Sequence, residues 1–170
     1  NVVEKPVFSQ NGGFYDSEFL LTLVDNNENE IYYTTDGSDP RTSDTAKLYS
    51  EGIRIYNNTN DPNVYSSLQE ITLAEYTPTS EKVEKGIVIR AASKSADGKF
   101  SEVEHNSYFV GKTASYFKDM KVISMATDSD YLFDKDNGAY MIGKEYYEWV
   151  RSPEFEKYDQ QVPPCMQYLL

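Results

Sequence analysis

Asp128, Asp130, Asp134 and Asp136 bring four carboxylates into one short stretch. Such a cluster offers calcium chemistry, because hard cations take carboxylate and carbonyl oxygens. Gly138 arrives one position early for the EF-hand pattern, so the spacing favours capping and turn duty over a metal site. Asp36 and Asp39 form a second acidic pair, set in the string Thr35-Asp36-Gly37-Ser38-Asp39-Pro40. Aspartates beside Gly and Pro accept backbone N–H bonds in tight turns, and that duty explains both without acid–base catalysis. His105 is the only histidine, so this chain cannot supply a second one to a multi-histidine metal site, and the remaining pattern offers no triad. Sugar hydrolysis needs two carboxylates facing each other across a cleft, and no spacing among the 28 acidic residues singles out such a pair. No residue is therefore assigned as catalytic, cofactor-binding or metal-ligating, and no cofactor is expected.

The tyrosines offer binding chemistry instead. Tyr15, Tyr32, Tyr33, Tyr49, Tyr56, Tyr65 and Tyr76 are spread through the first half of the chain. Exposed rings among them could stack on sugars or on a partner protein, since an aromatic ring contributes contact area with little loss of side-chain freedom. The simpler alternative is that many of them fill the core.

Charge narrows the partners. With 28 acidic and 16 basic residues the net charge is −12, which repels a phosphate backbone, so nucleic acid is not an expected partner. No apolar run reaches the roughly 18 residues that a membrane span requires, and no helix-like segment is both basic and amphipathic. Cys165 stands alone, so no intrachain disulfide forms and the thiol reads as a bystander. Asn1 opens the sequence with neither Met nor an apolar leader, which fits a segment of an exported protein. An extracellular or cell-surface location is the expectation.

The elements that position these groups are strands. Pro6-Val7-Phe8-Ser9 reads as an edge strand opened by proline, and Asn11-Gly12-Gly13 as a turn. From Ser17 to Val24 a period of two places Phe19, Leu21 and Leu23 on the core side. Ile31, Tyr33 and Thr35 alternate with Tyr32 and Thr34, and Gly52 to Tyr56 gives another short strand. Asn60 to Lys85 is polar and long, as expected of an insertion. Ile87, Ile89 and Ala91 resume the alternation, and Ala96 to Lys99 turns the chain. In the strand Glu102 to Val110 two phases compete, Val103 and His105 against Tyr108 and Val110. This count of strands predicts an immunoglobulin- or fibronectin-like antiparallel β-sandwich. Beyond Gly111 the texture changes. Lys121 to Ala126 is a continuous apolar run of the kind buried on both faces, Asp128 to Asp130 caps a short helix over Tyr131 to Asp134, and Asp136 to Gly138 turns into Ala139 to Ile142. Lys144 to Arg151 reads as helical, Ser152 onward shows no clear period, and Pro163-Pro164 excludes regular helix where it stands.

Pro6 to Ser9, Gly13-Phe14-Tyr15-Asp16, Phe19 to Leu23, Ile31 to Pro40, Val88 to Ala92 and Tyr108 to Gly111 together resemble the chitobiase/β-hexosaminidase C-terminal domain, an immunoglobulin-like sandwich. Asn63 to Ser66, Val122 to Met125, Thr127-Asp128, Leu132 to Asp134 and Gly138 to Tyr140 resemble the stretch that joins this module to a spore-coat CotH kinase domain in exported bacterial proteins. The resemblance implies a sandwich over residues 1–111, a linker over 112–119, and the opening of a CotH kinase-like domain over 120–170, a small incomplete α+β segment. It further implies a non-catalytic spacer or interaction module that positions a neighbouring domain, at the cell surface or in a spore coat. Two alternatives stand beside that reading: a module that binds carbohydrate or a surface protein, and the first part of an atypical secreted kinase whose catalytic residues lie beyond this chain.

Overall fold

The computed structural model describes residues 2–64, 80–111 and 120–161. Short alternating runs broken by Gly, Asn, Asp and Pro give the strands β1 (Val7–Phe8), β2 (Gly13–Tyr15), β3 (Phe19–Leu21), β4 (Leu23–Val24), β5 (Glu30–Thr34), β6 (Lys47–Leu48), β7 (Ile53–Ile55), β8 (Ile87–Lys94) and β9 (Glu104–Val110). Only Thr22 separates β3 from β4. The first of the two pairs with β7 and the second with β1, both antiparallel, so these four segments form one layer. The other layer is a five-stranded sheet in the order β2-β9-β8-β5-β6.

One pairing in that sheet is parallel, with Gly13 opposite Tyr108 and Tyr15 opposite Val110. It arises because the chain crosses between layers after Ser9 without reversing. The expected turn at Asn11 to Gly13 is thus a crossover that runs straight into β2. Gly12 permits the close approach, since a Cβ there would lie 3.0 Å from both Asn106 Oδ1 and the Ser107 carbonyl oxygen.

The core lies between the layers. Leu21, Leu23 and Ile55 meet Ile31, Ile89, Ala91, Tyr108 and Val110, all buried. Phe19, Leu21 and Leu23 face inward as their spacing requires, while Leu20 points out at 66% exposure. In β9 the competing phases resolve in favour of Tyr108 and Val110, and His105 is exposed. A tyrosine can be buried at this point because its hydroxyl donates to the Gln10 carbonyl at 2.9 Å. Thr35, expected on the inner side with Ile31 and Tyr33, is exposed, and Thr34 is buried in its place with Oγ1 donating to the Ser38 carbonyl at 2.7 Å. The mainly β sandwich expected from the alternation is the fold.

The run Lys121 to Ala126 departs from expectation. It forms no strand, and Ile123 and Met125 are 84% and 86% exposed. Its contact Ser107 is on β9, which β2 and β8 already pair on both sides, so this segment lies as a strap on the outer face. Ser124 Oγ donates to Ser107 Oγ at 2.7 Å, and the Thr127 carbonyl sits where a Cβ on Gly37 would come within 2.6 Å.

Residues 2–63, 80–111 and 120–129 belong to one compact unit, and residues 64 and 130–161 to a second. The second carries α1 (Ser129–Phe133), which begins at the boundary, α2 (Lys144–Val150) and α3 (Pro153–Gln161). Ala139 to Ile142 turns back onto α1, with the N–H groups of Ala139 and Tyr140 donating to the carbonyls of Tyr131 and Leu132 at 2.9 Å. The helix α3 was not expected. Its start signal is local rather than periodic: Ser152 Oγ accepts the Phe155 N–H at 3.3 Å, Pro153 takes the first helical position, and Glu154 and Glu156 lie in the first turn. Phe155 then meets Trp149 edge-on, with ring centroids 4.8 Å apart. Pro163-Pro164 and Cys165 lie outside the described residues, as does the linker expected at 112–119.

Candidate functional site

Two loops at one end of the sandwich are held rigid by their own polar side chains. Between β4 and β5, Asp25 Oδ1 accepts the backbone N–H groups of Asn27 (2.8 Å) and Asn29 (3.0 Å) and the Asn29 amide (3.0 Å). Burial pushes the Asp25 carboxyl up, but the hydrogen bonds it accepts outweigh this and hold it below the ordinary carboxylate value. Glu28 adopts the left-handed conformation at φ 57°, which completes the turn. Between β8 and β9, the Ser95 N–H donates to the Lys99 carbonyl at 2.9 Å and the Gly98 N–H to the Ser95 carbonyl at 2.8 Å. Lys99 Nζ lies 2.6 Å from Asp97 Oδ2, and Ser95 Oγ lies 2.5 Å from Asp97 Oδ1. The lysine bond first, and the serine bond second, lower the Asp97 pKa to about 2.

The groove between these loops has a volume of about 630 Å³ and is lined chiefly by Asn27, Glu28, Asn29, Glu30, Lys94 and Ser95. Glu30 and Lys94 stand opposite each other on β5 and β8 and carry the groove onto the outer sheet face. There Tyr32 and Phe100 meet edge-on at a centroid distance of 5.9 Å. Lys94 Nζ lies 5.4 Å from each ring centroid, and the Tyr32 hydroxyl donates to Glu30 Oε2 at 3.3 Å. Leu48, opposite Tyr32 on β6, is 51% exposed. This arrangement presents amide oxygens, carboxylates, a hydroxyl and an ammonium beside an aromatic edge, groups that can hydrogen-bond a polyhydroxylated ligand.

The Asp36 to Asp39 motif sits elsewhere, in the loop between β5 and β6. Asp36 Oδ1 accepts from the Ser38 N–H (3.0 Å) and hydroxyl (2.6 Å), and Asp36 Oδ2 accepts the Thr45 hydroxyl at 2.6 Å. Ser43 Oγ lies 2.8 Å from both Ser38 Oγ and Thr45 Oγ1, closing a ring of hydroxyls. Burial raises the Asp36 carboxyl, and the bonds from Ser38 and Thr45 more than reverse this. The Arg41 guanidinium grips Asp39, with Nη2 to Oδ2 at 2.6 Å and Nε to Oδ1 at 2.9 Å, and holds that carboxyl low. The motif is therefore a turn knot in which both carboxylates are engaged.

The other candidates do not converge. Tyr15, Tyr33 and Tyr49 pack against the core, and Tyr56 donates to Asp61 Oδ2 at 2.7 Å. Tyr65 and Tyr76 lie outside the described residues. Of the five described tyrosines named from the sequence, only Tyr32 lies beside the groove, next to Glu30 and Lys94. Asp134 Oδ1 accepts the N–H groups of Asp136 (3.1 Å) and Asn137 (2.8 Å), a turn cap. Among the described residues, no three His, Cys, Asp or Glu side chains are grouped to hold a metal ion, and no helix is long and apolar enough to cross a membrane. Sequence reasoning missed the groove, because its residues come from two loops some 70 positions apart. The string Asp25-Asn26-Asn27-Glu28-Asn29-Glu30 was the available signal.

Comparison with known proteins adds one result. No curated protein and no solved structure matched the chain. A model of one protein family, described as Fn3 associated, matches residues 20–108, from β3 into β9 and just over half of the chain. The match takes in strands of both layers and both loops of the groove, though not β1 and β2, and the chain belongs to the Fn3 associated family.

Proposed function

We propose that this chain is a non-catalytic spacer and interaction module of an exported bacterial protein of the CotH kinase family, acting to hold a downstream domain in place. The observation that carries this reading is the strap. Residues 120–127 lie against the outer face of the sheet, with Ser124 bonded to Ser107 and the Thr127 carbonyl close to Gly37, so the stretch that leads towards the downstream region belongs to the sandwich's own compact unit. The resemblance of Val122 to Met125 and Gly138 to Tyr140 to the CotH junction supports the identity of the downstream domain. The engagement of Asp36 and Asp39 within a turn knot supports the non-catalytic part of the reading, because it leaves that motif to structure.

Pulsed electron-spin distance measurements test the spacer role. Nitroxides placed at Lys47 and Lys121, both in the compact unit that holds the sandwich, are expected to give a narrow distance distribution that broadens in Gly37→Val, where the strap is displaced. A broad distribution in the parent protein would sink the spacer reading. The coding sequence beyond Leu170 tests the family assignment separately: a nucleotide-binding and acidic metal-binding core supports a kinase parent, and a stop codon removes it. A second reading, a module that binds carbohydrate or a cell surface, is favoured by the groove between the β4–β5 and β8–β9 loops.

A further inference from the structure

We propose that the groove between the β4–β5 and β8–β9 loops is a glycan-binding site selective for uncharged oligosaccharides, with Tyr32 and Phe100 as its stacking edge. The proposal deepens the second reading above and does not depend on the identity of any downstream domain.

Sugars demand a particular surface. Each ring carries hydroxyls that donate and accept at once, and an apolar face of C–H groups between them. The groove supplies both kinds of partner: the Asn27 and Asn29 amide oxygens and the Glu28 and Glu30 carboxylates accept, Lys94 Nζ donates, and Ser95 Oγ can do either. The half-buried Tyr32 and Phe100 rings lie where Glu30 and Lys94 carry the groove onto the sheet face. At about 630 Å³ the space falls within the range of small-molecule sites and admits a short oligosaccharide.

Charge sets the class of glycan. Two carboxylates face one ammonium in the groove, and the chain carries a net charge of −12. An acidic polysaccharide is repelled at long range and again on contact. An uncharged one meets no such barrier.

Rigidity supports affinity. Asp25 fixes one loop through three hydrogen bonds, and the Ser95, Asp97 and Lys99 side chains fix the other. Both loops are held by these bonds before a ligand arrives, which lowers the ordering cost of binding. In antibody variable domains, too, loops gathered at one end of the sandwich form the binding surface. That precedent concerns position alone, and the ligand class rests on the side chains.

The test is an array of uncharged and acidic glycans probed with the full chain, followed by calorimetry on the strongest uncharged hit. Binding to uncharged glycans is expected, with acidic glycans empty. Tyr32→Ala and Phe100→Ala should each weaken binding about tenfold, the loss expected of one stacked ring. Glu30→Gln and Asn29→Ala should weaken it too, while Tyr56→Phe, outside the groove, should not. Thermal melts identify any variant that fails to fold, and Glu30→Gln, which preserves shape, then decides. An array with no uncharged hit overturns the proposal. So does preference for acidic glycans, or binding that survives both Glu30→Gln and a folded ring variant. None of these outcomes bears on the strap or on the parent gene, so failure here leaves the spacer reading separately testable.

Discussion

Arg90 Nη1 donates to the carbonyl oxygen of Gly37 at 2.6 Å, joining the middle of β8 to the tip of the loop between β5 and β6. The two residues are 53 positions apart, and the bond pins the Asp-Gly turn onto the sheet. Replacing Arg90 with Met keeps much of the side chain's bulk and removes the donor. Urea denaturation of Arg90→Met is expected to show a loss of about 1.5–3 kcal/mol, the usual contribution of a hydrogen bond from a charged group. A change below about 0.5 kcal/mol would mean that the turn holds itself without help.

Gly37 and Gly98 separate two effects that a glycine can serve. Both are left-handed, at φ 86° and 85°, but a Cβ on Gly37 would meet the Thr127 carbonyl oxygen at 2.6 Å, whereas nothing lies within 4 Å of one on Gly98. Gly98→Ala should therefore cost only the conformational penalty of about 1–2 kcal/mol. Gly37→Ala should cost that and displace the strap as well. Amide chemical shifts distinguish them: only Gly37→Ala should move the resonances of residues 120–127, and unmoved resonances in both variants would remove the strap contact from the account.

Acid should loosen the turn knot. Asp36 and Asp39 have folded-state pKa values below the ordinary 3.8. A group of this kind contributes stability that is present above its unfolded pKa and is lost as pH falls through the folded value. The sandwich should therefore be insensitive to pH near neutrality and should weaken progressively below about 4. Carboxyl carbon resonances followed by NMR check this, with Asp97 expected to titrate at about 2. Titration of Asp36 and Asp39 at or above 3.8 would contradict the knot.

Tyr108→Phe removes one hydroxyl from a fully buried ring and leaves the Gln10 carbonyl without its donor. Burial first, and the neighbouring Tyr15 second, push this phenol well above the ordinary tyrosine range. A loss of about 1 kcal/mol in thermal or urea unfolding is expected, with the sandwich retained. An unchanged midpoint would show that water replaces the hydroxyl at Gln10.

The only tryptophan, Trp149, lies in the second compact unit beside Phe155. Its fluorescence should follow that unit alone, while the NMR resonances of Ile89 and Val110 in β8 and β9 report the sandwich. Phe155→Ala should red-shift the tryptophan emission and lower its transition without moving the transition of the sandwich resonances. Coincident shifts of both transitions would show that the two units unfold as one.

The alternation in Phe19-Leu20-Leu21-Thr22-Leu23 and in Ile87-Val88-Ile89-Arg90-Ala91 was enough to identify strands and their inner faces, because a period of two needs only neighbours in sequence. The Asp36-Gly37 turn was legible for the same reason: its hydrogen bonds close within ten residues. The strap was not legible. An apolar run such as Val122-Ile123-Ser124-Met125 has the composition of a buried strand, and only the completed ladder of the sheet beneath it decides that it lies outside. The helix α3 was missed where a cap, and not a period, defined the element.

The order of residues was enough for the strands, the turns and the acidic balance of the chain. Folding was needed to settle which strands share a layer, that β2 runs parallel to β9, and that Asn29 and Ser95 face one groove. The division has a physical basis. Strand period and turn chemistry are set by contacts a few residues apart, whereas a groove between the β4–β5 and β8–β9 loops exists only after hydrophobic burial has stacked the two layers and brought their ends together.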